Sequence, residues 1–361
     1  MHFHTQVLQR HNGIRQSQSQ PAFNFRGGSI GNFFFAGARI FFGSLPAAIF
    51  LFSKVAGIPS GSRVVPAVLT EDRLVLGAEL KDGTRIRGQF NISHPRPKQL
   101  KDSAQSTTPQ QYENEHRQVI KKLSSEVSSL HASPIQRISY LLNDPTWRKN
   151  NQQQHVQSLD GSTIQQQQQW SSRNEITPEP NPQVLAAISN ANCIVYGCGS
   201  LFTSVLPSLV LDGVGSAISS RYVYKVLLLN GWHDCETSWV EASNEDGSKQ
   251  VVKQMHANSI VQAVINALDQ DSVHSNNDDN DDEENGSSTI TTDYITHIFY
   301  PIGTEIDIDE QSLLKLGIEV RGIESIPANT CSEGSRSGGQ YHHVVYDTKC
   351  LVDALLSLAA V

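Results

Sequence analysis

The sequence predicts an α/β fold: a mostly parallel sheet with flanking helices, an inserted antiparallel β-meander and disordered polar insertions. Three observations predict it. Short apolar runs alternate with helix-period segments, as in a parallel sheet. Residues 64–93 show the alternation and turn residues of a meander. Three polar stretches, at about 95–131, 150–169 and 271–291, lack the large apolar side chains that would offset the entropy of ordering them.

Residues 1–22 carry no periodic pattern and stay unassigned, while 23–361 read as one domain with insertions. The first segment has no apolar h-region, so it is no secretory signal; its lack of acids leaves organellar targeting open. Phe33–Phe52 has the length of a membrane span, but Arg39 lies inside it and Gly43-Ser44-Leu45-Pro46 breaks it. Two buried helices joined at Gly43 are predicted there, and no membrane partner.

In the meander, "VVPAVL", "RLVLGAEL" and "TRIRGQFNI" are the expected strands. Asp82-Gly83 is a hairpin signal, and strand alternation would set Ile86, Gly88, Phe90 and Ile92 on one face. "IQRISYLL" is a further short strand, and a helix starts at about Pro182. Cys193–Tyr196 is predicted as a buried strand, followed by Gly197 and Gly199 and then Ser200, Thr203 and Ser204. A strand, a glycine turn and a helix start can present backbone N–H groups to an anion. An ordinary βα turn has the same residues. "YKVLLLN" is a second buried strand, ending at Asn230, and "GWHDCETSW" is a polar loop. Residues 249–268 suit one helix face, with Val251, Val252, Met255, Val261, Val264 and Leu268 among its apolar positions. Strands are expected at Ile295–Tyr300 and Gly317–Val320, a short helix at Asp309–Leu316, and a last helix capped by Asp347.

The formal net charge is −8. Eight Asp and Glu residues fall between Asp269 and Glu284 with no Lys or Arg, so the rest of the chain is balanced and offers nucleic acid no basic footprint. Five cysteines without a C-x-x-C pair fit a reducing, cytoplasmic setting. His342 and His343 before Asp347 could contact phosphate or metal, or form a surface pair ahead of a helix cap. Trp232 and His233 could stack on a base, or be loop residues half-buried for packing.

Four blocks, "RGGSIGNFFFAGARIF", "AVLTEDRLVLGAELKDGTRIRGQ", "AISNANCIVYGCGSLFTSVLPSLVLDGVGSAI" and "KVLLLNGWHDCET", occur in this order. Together they resemble the 2-phospho-L-lactate transferase / gluconeogenesis-factor family, in its plant- and fungus-like branch. The resemblance covers roughly residues 23–93, 176–268 and 293–358. It implies a Rossmann-like fold with a nucleotide-linked small molecule, GDP- or UDP-type, at the carboxyl edge of the sheet. One branch transfers a phospholactyl group from a guanosine diphosphate carrier with Mg²⁺; the other binds UDP-sugars as a regulator. The family's G-P-G-S turn corresponds to Gly197-Cys198-Gly199-Ser200, with Thr203 and Ser204 after it. Its Gly-Asn pair corresponds to Gly31-Asn32, and its N-G-x-x-D-R-E-T loop to Asn230, Gly231, Asp234, Cys235, Glu236 and Thr237. Cys235 stands where an arginine is usual, which removes a fork-shaped anion donor.

The resemblance therefore assigns phosphate or nucleotide binding to Gly31, Asn32, Gly197, Gly199, Ser200, Thr203, Ser204, Asn230, Asp234, Glu236 and Thr237. It names no catalytic residue and no metal ligand here. The family's G-G-G-T-G loop and D-D-G-G segment do not occur before Phe23, so the N-terminal glycine-rich unit is expected to be lacking. Three functions stay open: a phospholactyl-type transferase, a nucleotide-sugar-binding regulator, or an inactive remnant. A homodimer is left open.

The insertions are expected to be dispensable. Limited proteolysis should cut first within 95–131, 150–169 or 271–291; first cuts within 191–230 would overturn the domain reading.

Overall fold

The computed structural model describes residues 29–70, 72, 74–95, 130–142, 175–242, 250–269, 291–328 and 343–359. The unassigned N-terminal segment, His342 and, apart from their ends, the three insertions lie outside the described residues. The chain divides into two compact units, Met1–Leu69 and Thr70–Val361.

In the first unit, helices α1 (Ile30–Phe42) and α2 (Leu45–Val55) are joined at Gly43, as expected. Ser29 caps α1 by accepting the Asn32 N–H at 3.1 Å, and Ser44 caps α2 through the Ala47 N–H at 3.3 Å. Gly43 ends α1 at φ 63°, a left-handed conformation that favours glycine. Phe34 and Phe35 pack on Phe52 with ring centroids 5.6 and 5.0 Å away. The expectation of two buried helices needs correction, because only Ala48 is buried and Phe41 is 83% exposed. Apolar residues surround each helix, and a pair of helices covers only the face they share. "VVPAVL" forms no strand either; Pro66 has no N–H to give a ladder. No helix among the described residues is long and apolar enough to cross a membrane.

The second unit opens with the meander. β1 (Leu74–Leu80) pairs antiparallel with β2 (Arg85–Arg87) and β3 (Ile135–Leu142), and β3 pairs with β4 (Glu175–Ile176). The sheet order is β2-β1-β3-β4. The Asp82-Gly83 turn is present, with Gly83 at φ 81°. Arg137 on the polar face ties Glu79 of β1 to Glu175 of β4. The strand predicted through Ile92 stops early. Gly88 takes φ 95°, its N–H closes the ladder on the Leu76 carbonyl at 2.7 Å, and Gln89–Ser93 turns into the short helix α3 with Ile92 buried.

The parallel sheet follows. Its strands are β5 (Cys193–Tyr196), β6 (Tyr224–Leu228), β9 (His297–Pro301) and β10 (Glu319–Ile323), in the order β10-β9-β6-β5. Helix α4 (Pro182–Ser189) precedes β5, and α5 (Val214–Ser219) links β5 to β6. A hairpin of β7 (Ser238–Ala242) and β8 (Gln250–Gln254) leads to α6 (Ala257–Leu268). Residues 249–268 are therefore a strand and a helix rather than one helix. Val251 and Val252 pair with Glu241 and Val240, a partner that no local period reveals. Helix α7 (Glu310–Lys315) is capped by Asp309. β11 (Ser325–Pro327) pairs antiparallel with β12 (Val344–Tyr346), and Asp347 caps α8 (Thr348–Ala359) by accepting the Cys350 N–H at 2.9 Å. Val226, Leu228, Phe299, Ile323 and Ala354 form the core between sheet and α8.

Gly215 sets how closely α5 meets α6. A Cβ there would lie 1.8 Å from the Leu268 carbonyl oxygen. Gly215→Ala should destabilise the protein by at least the ~1–3 kcal/mol typical of overpacking, seen as a lower denaturation midpoint in urea. An unchanged midpoint would show that the helices can separate freely.

Candidate functional site

The carboxyl ends of β5, β6 and β9 gather the loops that open α/β sheets use for ligands. β5 ends in Gly197-Cys198-Gly199-Ser200. Gly197 and Cys198 are exposed, Gly199 and Ser200 half-buried, and Ser204 exposed. A Cβ on Gly199 would come within 3.0 Å of Ser204 Cβ, whereas one on Gly197 would meet nothing within 4 Å. So Gly199 is the position where the turn needs a bare backbone. Ser204 and Val205 donate their N–H groups to the Ser200 carbonyl, starting a π-helical turn, Leu201–Val205; such turns are frequent at functional sites. A cleft of about 300 Å³ lies beside the turn, lined by Val184, Ile188, Val214, Ile218, Gly197 and Cys198 among others.

Three loops are tied together here. Asn230 Nδ2 donates to the Gly199 carbonyl at 3.0 Å, joining the ends of β5 and β6. Thr304 Oγ1 donates to the Asn230 carbonyl at 2.8 Å, and the Glu305 N–H to the Gly231 carbonyl at 3.0 Å, joining β6 to β9. The Tyr346 hydroxyl lies 2.7 Å from both the Leu229 and Phe299 carbonyls. Gly231 lies so close to β12 that a Cβ would be 1.8 Å from the Val344 oxygen.

The acidic residues of the β6 loop face inward. Glu236 is 3% exposed. Its Oε2 accepts the Phe202 and Thr203 N–H groups at 2.8 and 3.0 Å, and its Oε1 accepts from the Thr203 and Ser93 hydroxyls. Burial raises its pKa above the ordinary carboxylate value, while the Thr203 and Ser93 hydroxyls pull it back. Asp234 Oδ1 accepts the Glu236 and Thr237 N–H groups at 3.0 and 3.1 Å. The Cys235 thiol donates to the Ser93 carbonyl and is pushed up to about 11 by burial and by Asp234 and Glu236, so it stays protonated and inert at neutral pH.

The expected residues thus separate into two groups. Gly197, Gly199, Ser200, Ser204 and Asn230 lie in or against the turn. Thr203, Asp234, Glu236 and Thr237 form the network beneath it, and Glu236 holds the amides of the first helical turn that an anion would otherwise meet. Gly31 and Asn32 occupy the first turn of α1 in the other unit. Ser93, Thr304, Glu305 and Tyr346 were missed by sequence reasoning. Thr304 and Glu305 had a signal, since they follow a parallel strand just as Asn230 does; Ser93 and Tyr346 had none.

An aromatic and imidazole cluster lies at the same loops. The Trp232 and His343 rings are 5.0 Å apart at 43°, and His343 Nδ1 is 3.4 Å from Glu305 Oε1. His233 Nδ1 is 3.2 Å from Thr237 Oγ1, and His256 Nδ1 is 2.9 Å from Asp307 Oδ2. Burial lowers the His233 pKa against the opposing pull of Glu305 and Asp234. Among the described residues no group of three or more His, Cys, Asp or Glu could hold a metal ion.

Residues 7–299 match the family model described as 2-phospho-L-lactate transferase CofD. The uncharacterized protein YNL011C of Saccharomyces cerevisiae is 32% identical over 327 residues, covering 86% of this chain and 68% of its own. The gluconeogenesis factor of Bacillus subtilis is 34% identical over 85 residues, 21% of this chain and 27% of that protein. A crystal structure of protein BH3568 from Bacillus halodurans, a UPF0052 family member, superposes with a TM-score of 0.51 at 18% identity. The superposition covers 97% of this chain and 78% of that one, a likeness of fold.

Glu236 generates a testable pair of substitutions. Glu236→Ala leaves the Phe202 and Thr203 amides without their acceptor and should cost about 1–3 kcal/mol for each. Glu236→Gln keeps an acceptor for them and should cost less. Because the folded pKa is raised, the folded chain holds this proton more tightly than the unfolded chain. The resulting stability is fully present below the unfolded value and is lost as pH rises through the folded one. Urea denaturation across that acid range should show the slope in the parent and a flatter profile in Glu236→Gln. Equal slopes would assign the pH dependence to other groups.

Proposed function

The chain belongs to the 2-phospho-L-lactate transferase family, and on that premise we propose that it binds a nucleotide-linked phospho-ligand at the carboxyl edge of its parallel sheet and transfers a phospholactyl-type group from a nucleoside diphosphate carrier. The observation that carries the reading is the Gly197–Ser200 turn. It follows a parallel strand, keeps a bare backbone at Gly199, and is braced from behind by Asn230. A diphosphate set against such a turn meets backbone dipoles without a bulky side chain between. Ser200 and Ser204 add hydroxyls that can donate to phosphate oxygens. The apolar cleft beside the turn suits the less polar part of a linked group.

A second reading is a nucleotide-sugar-binding regulator without turnover. Asp234 and Glu236 favour it, since both carboxylates hydrogen-bond the protein's own backbone. The similarity to gluconeogenesis factors supports the same reading.

Titration calorimetry with GDP, UDP and a UDP-sugar, with and without Mg²⁺, tests both. Gly199→Val should abolish or strongly weaken binding by pushing on Ser204 and closing the approach. Ser200→Ala should cost about one hydrogen bond to a charged group, ~1.5–3 kcal/mol. Tighter binding of GDP supports the transferase, and tighter binding of the UDP-sugar the regulator. Unaltered binding by Gly199→Val would place the phosphates elsewhere.

A further inference from the structure

The loop after β6 carries an aromatic surface for which phosphate binding has no use. Trp232 is half-buried and is not part of the core cluster around Phe299. Its ring partner is an imidazole, His343, at 5.0 Å, whose Nδ1 lies 3.4 Å from a Glu305 carboxylate oxygen. The backbone just before Trp232 is tied down. Gly231 is pressed against the Val344 carbonyl, its own carbonyl accepts the Glu305 N–H, and Asn230 is tied to Gly199 and Thr304. Trp232 is therefore an aromatic side chain that follows a braced segment at the carboxyl edge of the sheet and packs against a second ring.

We propose that the Trp232 indole, backed by His343, is the stacking face for the nucleobase of the ligand, and this rests on the function proposed above. The spacing fits. Asn230 touches the turn at Gly199, and Trp232 is two residues further on through a bend, at most about 7 Å away along the backbone. A ribose bridges a gap of that order between diphosphate and base. Stacking on an indole tolerates any base because every base has a π-face. Aromatic side chains also lose little conformational entropy when a ligand settles on them, since they have only two rotatable bonds.

The test uses the full chain and three probes in calorimetric titration: GDP, UDP and inorganic pyrophosphate. Trp232→Leu should weaken GDP and UDP by about tenfold or more while leaving pyrophosphate unchanged. Trp232→Phe, which keeps a ring, should recover most of the loss and serves if the leucine variant does not fold. The proposal is overturned if Trp232→Leu or, in its place, Trp232→Phe weakens pyrophosphate as much as the nucleotides, or if Trp232→Leu folds and binds nucleotides like the parent. A parent that binds pyrophosphate as tightly as GDP and UDP overturns the stacking face alone. A parent that binds none of the three overturns the proposed function with it.

Discussion

One buried carboxylate organises the carboxyl edge of the parallel sheet. Glu236 lies where three pieces of chain meet: α3 at the end of the meander, the helical turn after β5, and the loop after β6. Its two oxygens accept from Ser93, from the Thr203 hydroxyl, and from the Phe202 and Thr203 amides. An isolated carboxylate at this depth would cost several kcal/mol; four donors make it tenable. The donors in turn depend on it, because two are amides at a helix start with no intrahelical acceptor. The meander, inserted before the parallel sheet in the chain, is thereby held to the sheet's functional edge.

For the ligand binding proposed above, the consequence is a division of labour within a few residues. The amides just inside the π-helical turn are occupied by Glu236, so the surface left for a ligand is the glycine turn itself, with the Ser200 and Ser204 hydroxyls. That surface is kept in shape by bonds that run sideways, from Asn230 to Gly199 and from Thr304 and Glu305 to the β6 loop. β12 closes the arrangement, with Val344 against Gly231 and Tyr346 bonded to carbonyls just past the end of β6 and in the middle of β9. These contacts bring together residues from well-separated parts of the chain, as a pre-organised site requires.

Cys235 shows how the network bears on chemistry. In the position where the family carries an arginine, this chain holds a thiol that donates to the Ser93 carbonyl and is surrounded by Asp234 and Glu236. Burial, and after it both neighbours, raise its pKa, so it contributes neither a cation nor a thiolate. The hydrogen bonds of the loop's carboxylates are directed inward, and in the proposed binding mode recognition of an anionic ligand falls to backbone and hydroxyl groups of the turn.

Local patterns in the sequence determined much of the fold. The strands at Cys193–Tyr196 and Tyr224–Leu228, the Asp82-Gly83 hairpin, the break at Gly43 and the caps at Asp309 and Asp347 all follow from apolar runs, turn residues and short-range hydrogen bonding. The turn at Gly197–Ser200 was legible for the same reason. What tertiary structure decided lay wherever a residue's partner is distant in the chain. Val251 and Val252 carry a helix-compatible period but pair with Val240 and Glu241 across a hairpin. Residues 89–93 continue an alternating pattern, yet Gly88 ends the ladder and Ile92 is buried from a helix. The resemblance assigns Glu236 and Thr203 to ligand binding, and only the tertiary structure shows that they also contact each other. Period and propensity report which face of an element is apolar; they carry no information about which polar group will be brought within hydrogen-bonding reach of it.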